Sequence, residues 1–238
     1  VRVLSHQIQG QLLNVIGGKN FSKYLKSSLP IWVAGLFDND KTVSNSTMKT
    51  LLEAFQNDLD KVNNAIWFIF TDPILNYIST VVLSETHESL SDKRYVKEAD
   101  SNSKYERVLN SAIMMLIKLI QLFNTDTSKF KNVDDLTVRA ESLLNLDSLW
   151  DYLGKSVEPD VSNLTLFNNY LVLLKALFKL TPEKEANGFL KSLDDAKSVY
   201  KTVSKKFIKH VKLKPSNKSS TGGIIFSNVI LQFWDTLT

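Results

Sequence analysis

Cysteine is missing from all 238 residues, and glycine (8) and proline (5) are scarce. Without a thiol there can be no disulfide, no thiolate zinc site and no cysteine nucleophile, a composition suited to a reducing compartment. Few glycines and prolines beside 43% hydrophobic residues exclude the collagen-like, low-complexity and disordered classes. Histidine is nearly as sparse, and His6, His87 and His210 form no H-x-x-x-H or H-E-x-x-H spacing that would set two imidazoles on one helix face. No G-x-S-x-G elbow occurs. Gly17-Gly18-Lys19 lacks the lysine and hydroxyl order of a phosphate loop and reads as a helix cap. The pairs Asp134-Asp135 and Asp194-Asp195 fall at helix starts or on polar faces, where acids suit the helix dipole. A long apolar run is lacking too. A membrane span needs about 18 unbroken apolar residues, and the best candidate, Val108 to Phe123, is interrupted by Asn110, Ser111, Lys118 and Gln121. It reads as a buried core helix. No catalytic residue, cofactor or metal is expected.

Two long stretches, one at the start and one near the end of the chain, hold no acid. Residues 1–37 carry Arg2, Lys19, Lys23 and Lys26 with no acid, and Ala196 to Trp234 holds eight lysines with none. The intervening residues 38–195 are net acidic at −7, Asp235 adds one more negative charge, and the whole chain stands at +4. An acidic middle between basic ends creates a field that steers charged partners. The chain opens on Val1 rather than Met, as a piece of a longer protein would.

Helical periodicity fills the rest. Val1, Leu4, Ile8, Leu12 and Val15 step by three and four, the apolar stripe of one helix, and Gly17 closes it. A second helix is expected from near Asn20 to just before Pro30, because proline disfavours the helical conformation in the residue before it. Pro30 then opens a third over Ile31–Phe37. Further helices are expected over Thr42–Phe55, Val62–Phe70, Asp72 through Val82, Tyr105–Phe123, Asp134–Leu144, Leu146–Leu153, Val161–Leu180, Gly188–Lys212 and Ile224–Leu237. The polar stretch Ser84–Ser103 is too long for an ordinary connector of about 4–6 residues, and Pro215–Gly223 reads as a linker. Alternating strand patterns are absent. The expected class is all-α, with antiparallel helix pairs stacked as a HEAT-like α-solenoid in a single domain over 1–238. Pro30 in a first helix, Asp38 in the turn and Val43 in the second follow the spacing of a HEAT repeat, in which the aspartate caps the second helix and the valine packs between the pair. Ser44 stands where that repeat often has a basic residue.

The sharpest physical feature is a lysine row. Lys197, Lys201, Lys205, Lys209 and Lys212 step by four, four, four and three, opposite an apolar face of Leu193, Ala196, Val203, Phe207 and Val211. Like charges at that spacing repel by a few tenths of a kcal/mol per pair, and no acid within the stretch relieves them. A solvated face explains such a row; so does a surface for phosphates or an acidic partner. Arg2, His6, Lys19, Lys23 and Lys26 form a second basic group.

Two segments, VRVLSHQIQGQLLNVIGGKNFSKYLKSSLPIWVAGLFDNDKTVS (1–44) and SLSDKRYVKEADSNSKYERVLNSAIMMLIKLI (89–120), together with SLWDYL at Ser148–Leu153, resemble the N-terminal domain of the listerin family in a fungal version. Listerins are the large RING-type ubiquitin ligases of ribosome-associated quality control. The resemblance implies a docking module rather than an enzyme, whose parent carries a distant C-terminal RING that ubiquitinates the stalled nascent chain. The implied partners are the 60S ribosomal subunit, through RNA or protein near the sarcin–ricin loop, and the factor that recognises peptidyl-tRNA. It further implies a cytoplasmic, monomeric protein that touches no membrane. The matching motif carries over Arg2, His6, Lys19, Lys23 and Lys26, with Tyr24 either core or contact, and the loop residues Ser91, Asp92, Lys93 and Arg94. For Lys201, Lys205, Lys209 and Lys212 the warrant is charge alone. The alternative is a helical scaffold that binds a peptide or acidic protein without contacting RNA.

Overall fold

A computed structural model describes residues 1–130, 139, 142–158, 164–178, 193–214 and 221–237. These residues are almost wholly helical and contain no strand, so the class is all-α. The chain divides into two compact units, Val1–Lys131 and Asn132–Thr238.

In the first unit, helix α1 (Arg2–Ile16) ends at Gly17, whose φ of 80° is the left-handed region expected of a glycine stop. Helix α2 (Gly18–Ala34) runs antiparallel to α1, and a 3₁₀ turn (Gly35–Phe37) leads to α3 (Lys41–Ala54). Arg2 meets Asp40 just before α3, and Gly10 lies on Thr50 near its other end. α1 and α3 therefore run parallel, with the antiparallel α2 between them in sequence. A π turn (Lys61–Ala65) leads into α4 (Ile66–Ile69), then α5 (Thr71–Leu83) and α6 (Glu98–Thr125).

The break expected at Pro30 does not occur, since Pro30 lies inside the continuous α2. A mid-helix proline costs about 3 kcal/mol. The turn containing it buries Leu29, Trp32 and Val33 almost completely, and each aliphatic side chain alone contributes about 1.5–3 kcal/mol. Packing outweighs the local penalty. The HEAT-like spacing holds for Val43, which is buried, but the capping residue is Asp40 rather than Asp38. The Asp40 carboxylate accepts from the Thr42 amide at 2.9 Å, while Asp38 accepts from the Asp40 amide at 2.9 Å and binds Arg2.

α1 also departs from the expected orientation. The apolar stripe Leu4, Ile8, Leu12 and Val15 faces outward at 60, 57, 43 and 82% exposure, and α1 buries His6, Gly10 and Leu13 instead. One polar, one small and one apolar residue make its contact with the rest of the unit. A Cβ on Gly35 would strike the His6 ring and the Thr47 hydroxyl, so only glycine admits His6 there. Periodicity finds a stripe; it does not say which side of the helix meets a neighbour.

α6 is the central helix of this unit. Leu109, Ala112, Ile113, Met115, Leu116, Leu119 and Ile120 are buried around nearly its full circumference, as expected for a helix apolar all round. By length and composition it is the one helix among the described residues that could cross a membrane, but 67% of its most apolar window is buried inside the fold. It starts at Glu98, so the polar stretch expected over 84–103 is a connection over 84–97. Glu98 and Asp100 in its first turn complement the positive end of the dipole.

The second unit contains a helical piece at 142–145, α7 (Asp147–Ser156), α8 (Thr165–Phe178), α9 (Leu193–His210), α10 (Thr221–Phe226), a π turn (Ser227–Leu231) and α11 (Gln232–Leu237). Trp150 packs edge-on to Tyr170 at 5.0 Å, and Phe207 stacks on Phe233 at 3.6 Å. The expected linker is shorter than 215–223, because α10 begins at Thr221. Residues 134–138, 140–141, 161–163, 179–180, 188–192 and 215–220 of the expected segments lie outside the described residues.

Candidate docking surfaces

The first basic group separates into three environments. Lys19, Lys23 and Lys26 are exposed along α2 at intervals of four and three, which places them on one face. Among the described residues none of the three is in an ion pair. Lys23 holds its ammonium 4.9 Å from the ring centre of Tyr24, and Tyr24 is half exposed rather than core. Arg2 is committed elsewhere, to Asp38 at 2.9 Å and Asp40 at 3.7 Å. His6 is buried between α1 and Gly35. Burial pushes its pKa down, against smaller upward contributions from Gln9 and Asp38, so the ring offers no cation to a partner. Of the five residues expected to contact a partner, the structure leaves three lysines available.

The 84–97 connection is held by its neighbours. The Ser101 hydroxyl donates to the His87 carbonyl and the Lys104 ammonium to the Leu90 carbonyl, both from the first turns of α6. Four of its charges are paired with one another. Arg94 forks onto Asp92, with Nη2 2.6 Å from Oδ2 and Nε 3.0 Å from Oδ1, and Lys93 reaches Glu88. These bonds hold the Asp92 and Glu88 carboxyls below their usual range. Ser91 is buried with an unpartnered hydroxyl. Tyr95 is 81% exposed, with the Arg94 guanidinium 5.4 Å from its ring centre. Sequence reasoning passed over Tyr95, although an aromatic after two cations was the available signal.

The lysine row on α9 is partly neutralised, and the acids come from another helix. Asp147 and Asp151 sit four apart on α7, on one face. Lys206 donates to Asp147 Oδ1 at 2.7 Å, and Lys209 lies 3.3 Å from Oδ2. His210 is nearly enclosed, with Nδ1 2.6 Å from Asp151 Oδ1 and Nε2 2.9 Å from Asp147 Oδ1. α7 and α9 come very close here, since a Cβ on Gly154 would fall onto the His210 carbonyl. The stretch itself holds no acid, as its sequence shows, and proximity in the fold supplies from α7 what the local sequence lacks. Lys201, Lys205 and Lys212 are exposed, and among the described residues none of these three is in an ion pair. On the opposite face Val203, Phe207 and Val211 are buried as expected, whereas Leu193 and Ala196 lie outside what is described of side chains.

The Asp147 carboxyl is held well below the ordinary carboxylate range, first by the Lys206 hydrogen bond and then by His210 and Lys209. A group whose folded pKa is depressed stabilises the fold above its unfolded value of about 3.9, and that stability is lost as pH falls through the folded pKa. Asp147→Asn should therefore lower the thermal midpoint near neutral pH, with the gap from wild type narrowing steadily once pH drops below about 4. A gap that stays constant to the lowest pH at which the fold survives would mean that charge pairing is not its source.

Little in these surfaces suggests covalent chemistry. Among the described residues no group of three His, Asp or Glu side chains is arranged to hold a metal ion. Glu106 is raised by burial alone, with no second raised carboxylate among those described. Tyr77, pushed up to about 12, and Tyr170, also raised, are core phenols. The groove between α1 and α3 is lined by Gln7, Gln11, Ser46, Lys49 and Glu53 and presents amides and one weak ion pair. The Asp134-Asp135 pair and the side chains of Asp194 and Asp195 lie outside the described residues.

Comparison with known proteins adds what geometry does not. Residues 1–220 match the family described as E3 ubiquitin-protein ligase listerin, N-terminal domain. A Saccharomyces cerevisiae protein named E3 ubiquitin-protein ligase listerin is 31% identical over 209 residues, covering 88% of this chain and 12% of its own length. Proteins of the same name from Neurospora crassa (29% over 223 residues, 88% of this chain, 13% of their own) and Gallus gallus (27% over 183, 76% and 10%) are also similar. The chain thus spans about an eighth or less of each of these relatives.

Proposed function

The chain belongs to the listerin N-terminal domain family, and from that membership we propose that it is the non-catalytic module that docks an E3 ubiquitin ligase on the large ribosomal subunit in the cytoplasm. The observation that carries the reading is the α2 face on which Lys19, Lys23 and Lys26 stand exposed, in a segment without a single acid. Such a face suits the phosphates of ribosomal RNA near the sarcin–ricin loop, because each lysine that neutralises a phosphate releases condensed counterions. Lys201, Lys205 and Lys212 offer a second contact. With no cysteine the chain cannot supply the thiolate ligands of a RING zinc site, so ligase chemistry belongs to another part of the parent protein. The factor that recognises peptidyl-tRNA is the second proposed partner.

Co-sedimentation of the chain with purified 60S subunits across a salt series tests this. Binding should weaken steeply as salt rises and should be lost after nuclease digestion of exposed ribosomal RNA. Binding that survives both, or no binding at low salt by a folded chain, would overturn RNA docking and favour the scaffold reading.

A further inference from the structure

The ribosome reading leaves the outward face of α1 without a role. Leu4, Ile8, Leu12 and Val15 form a continuous apolar ridge there, each at least 43% exposed, with Gln7 and Gln11 beside them in a shallow groove. The ridge spans three turns, about 16 Å at 1.5 Å per residue. Apolar residues rising by four, four and three form the ridge that a second helix receives in its grooves. From the opposite side His6, Gly10 and Leu13 pack inward, so α1 is held in place with this face presented to solvent.

The charges near it select the occupant. Residues 1–37 contain no acid. Asp38 and Asp40 before α3 and Glu53 in the α1–α3 groove are engaged, the first two on Arg2 and Glu53 3.9 Å from Lys49. Lys19, Lys23 and Lys26 on the adjoining α2 leave uncompensated positive charge. We propose that the α1 ridge docks an amphipathic helix of a partner protein, whose apolar stripe is edged by Asp and Glu. A second copy of this chain would bring like charges together. An anionic membrane surface fits less well, because α1 has no Trp or Phe and no lysine, and its other face is buried rather than open to headgroups.

The test uses a panel of fluorescent 20-residue helical peptides with leucine at every third or fourth position and glutamate flanks, beside twins in which lysine replaces glutamate. Anisotropy titration against the chain should give saturable binding of the acidic peptides, weakened by salt, and at least tenfold weaker binding of the lysine twins. Ile8→Glu should reduce the acidic-peptide affinity at least tenfold. Ile8→Gln, which adds no charge, should reduce it severalfold while circular dichroism stays that of the wild type. Co-sedimentation with 60S subunits should be unchanged in Ile8→Gln, which separates this surface from the ribosome reading. Failure of every acidic peptide to bind, equal binding of the lysine twins, indifference to both Ile8 variants, or preferential capture by phosphatidylserine vesicles or by the chain itself would each overturn the proposal.

Discussion

Reversing Lys19, Lys23 and Lys26 to glutamate should reduce co-sedimentation with 60S subunits at least tenfold at low salt, and should flatten what remains of the salt dependence. The three side chains are exposed on one helical face and, among the described residues, have no carboxylate partner, so their removal breaks no ion pair and costs only the exposed Lys23–Tyr24 contact. The slope of log affinity against log salt is about 0.9 per phosphate neutralised on a duplex. Three contacts therefore predict an affinity loss of about twentyfold for a threefold rise in salt. Reversal goes further than neutralisation, because it turns attraction into repulsion at the same sites. Arg2 does not belong in this variant. It binds Asp38 at 2.9 Å, and a glutamate there would set two carboxylates together and confuse lost docking with lost folding. The second surface needs the same care. Lys201→Glu with Lys205→Glu is informative, whereas reversing Lys206 or Lys209 would put a carboxylate against Asp147. Unchanged sedimentation of a folded triple variant would remove the α2 face from the docking surface, and loss confined to the Lys201 and Lys205 variant would move docking to the other unit.

Trp150→Ala should produce the largest loss of stability, about 3–5 kcal/mol, as expected for a large aromatic deleted from a core. Trp150 is completely buried, its indole N–H donates to the Leu144 carbonyl at 2.8 Å, and its ring meets Tyr170 edge-on. Truncation leaves a cavity, an orphaned carbonyl and a Tyr170 whose hydroxyl is already buried without a partner. For a unit of roughly 100 residues, each kcal/mol moves the midpoint by about 4–8 °C, so calorimetry should show a fall of more than about 12 °C in the transition of this unit. Trp150→Phe keeps most of the apolar contact and loses the hydrogen bond, for a cost of about 1–3 kcal/mol. Equal midpoints for Trp150→Ala and wild type would contradict the packing of α7 on α8.

Periodicity, punctuation and composition were enough to read α3, α5 and the apolar part of α6, because helical apolar patterning is a local property. They also singled out Val43 as a core position, and it is buried. What they missed was decided at contacts. Pro30 reads as a boundary because proline penalises a helix locally, and the burial of Leu29, Trp32 and Val33 is a cooperative, non-local gain that no window of sequence displays. The cap moved from Asp38 to Asp40 for the same reason: both are acids in one turn, and Arg2 recruits the first across 36 residues.

The candidate surfaces divide in the same way. By itself the sequence determined an all-α chain, the two long acid-free stretches, the thiol-free composition that excludes a RING within it, and membership of the listerin N-terminal domain family. Tertiary structure alone decided which cations remain available. It buried His6, tied Arg2 to Asp38, folded the charges of the 84–97 connection onto each other and brought α7 acids to Lys206, Lys209 and His210. It likewise turned the most regular apolar stripe of the chain, on α1, toward solvent. Charge and periodicity are properties of the residues in order. Availability depends on distance between residues far apart in that order, and folding alone sets those distances.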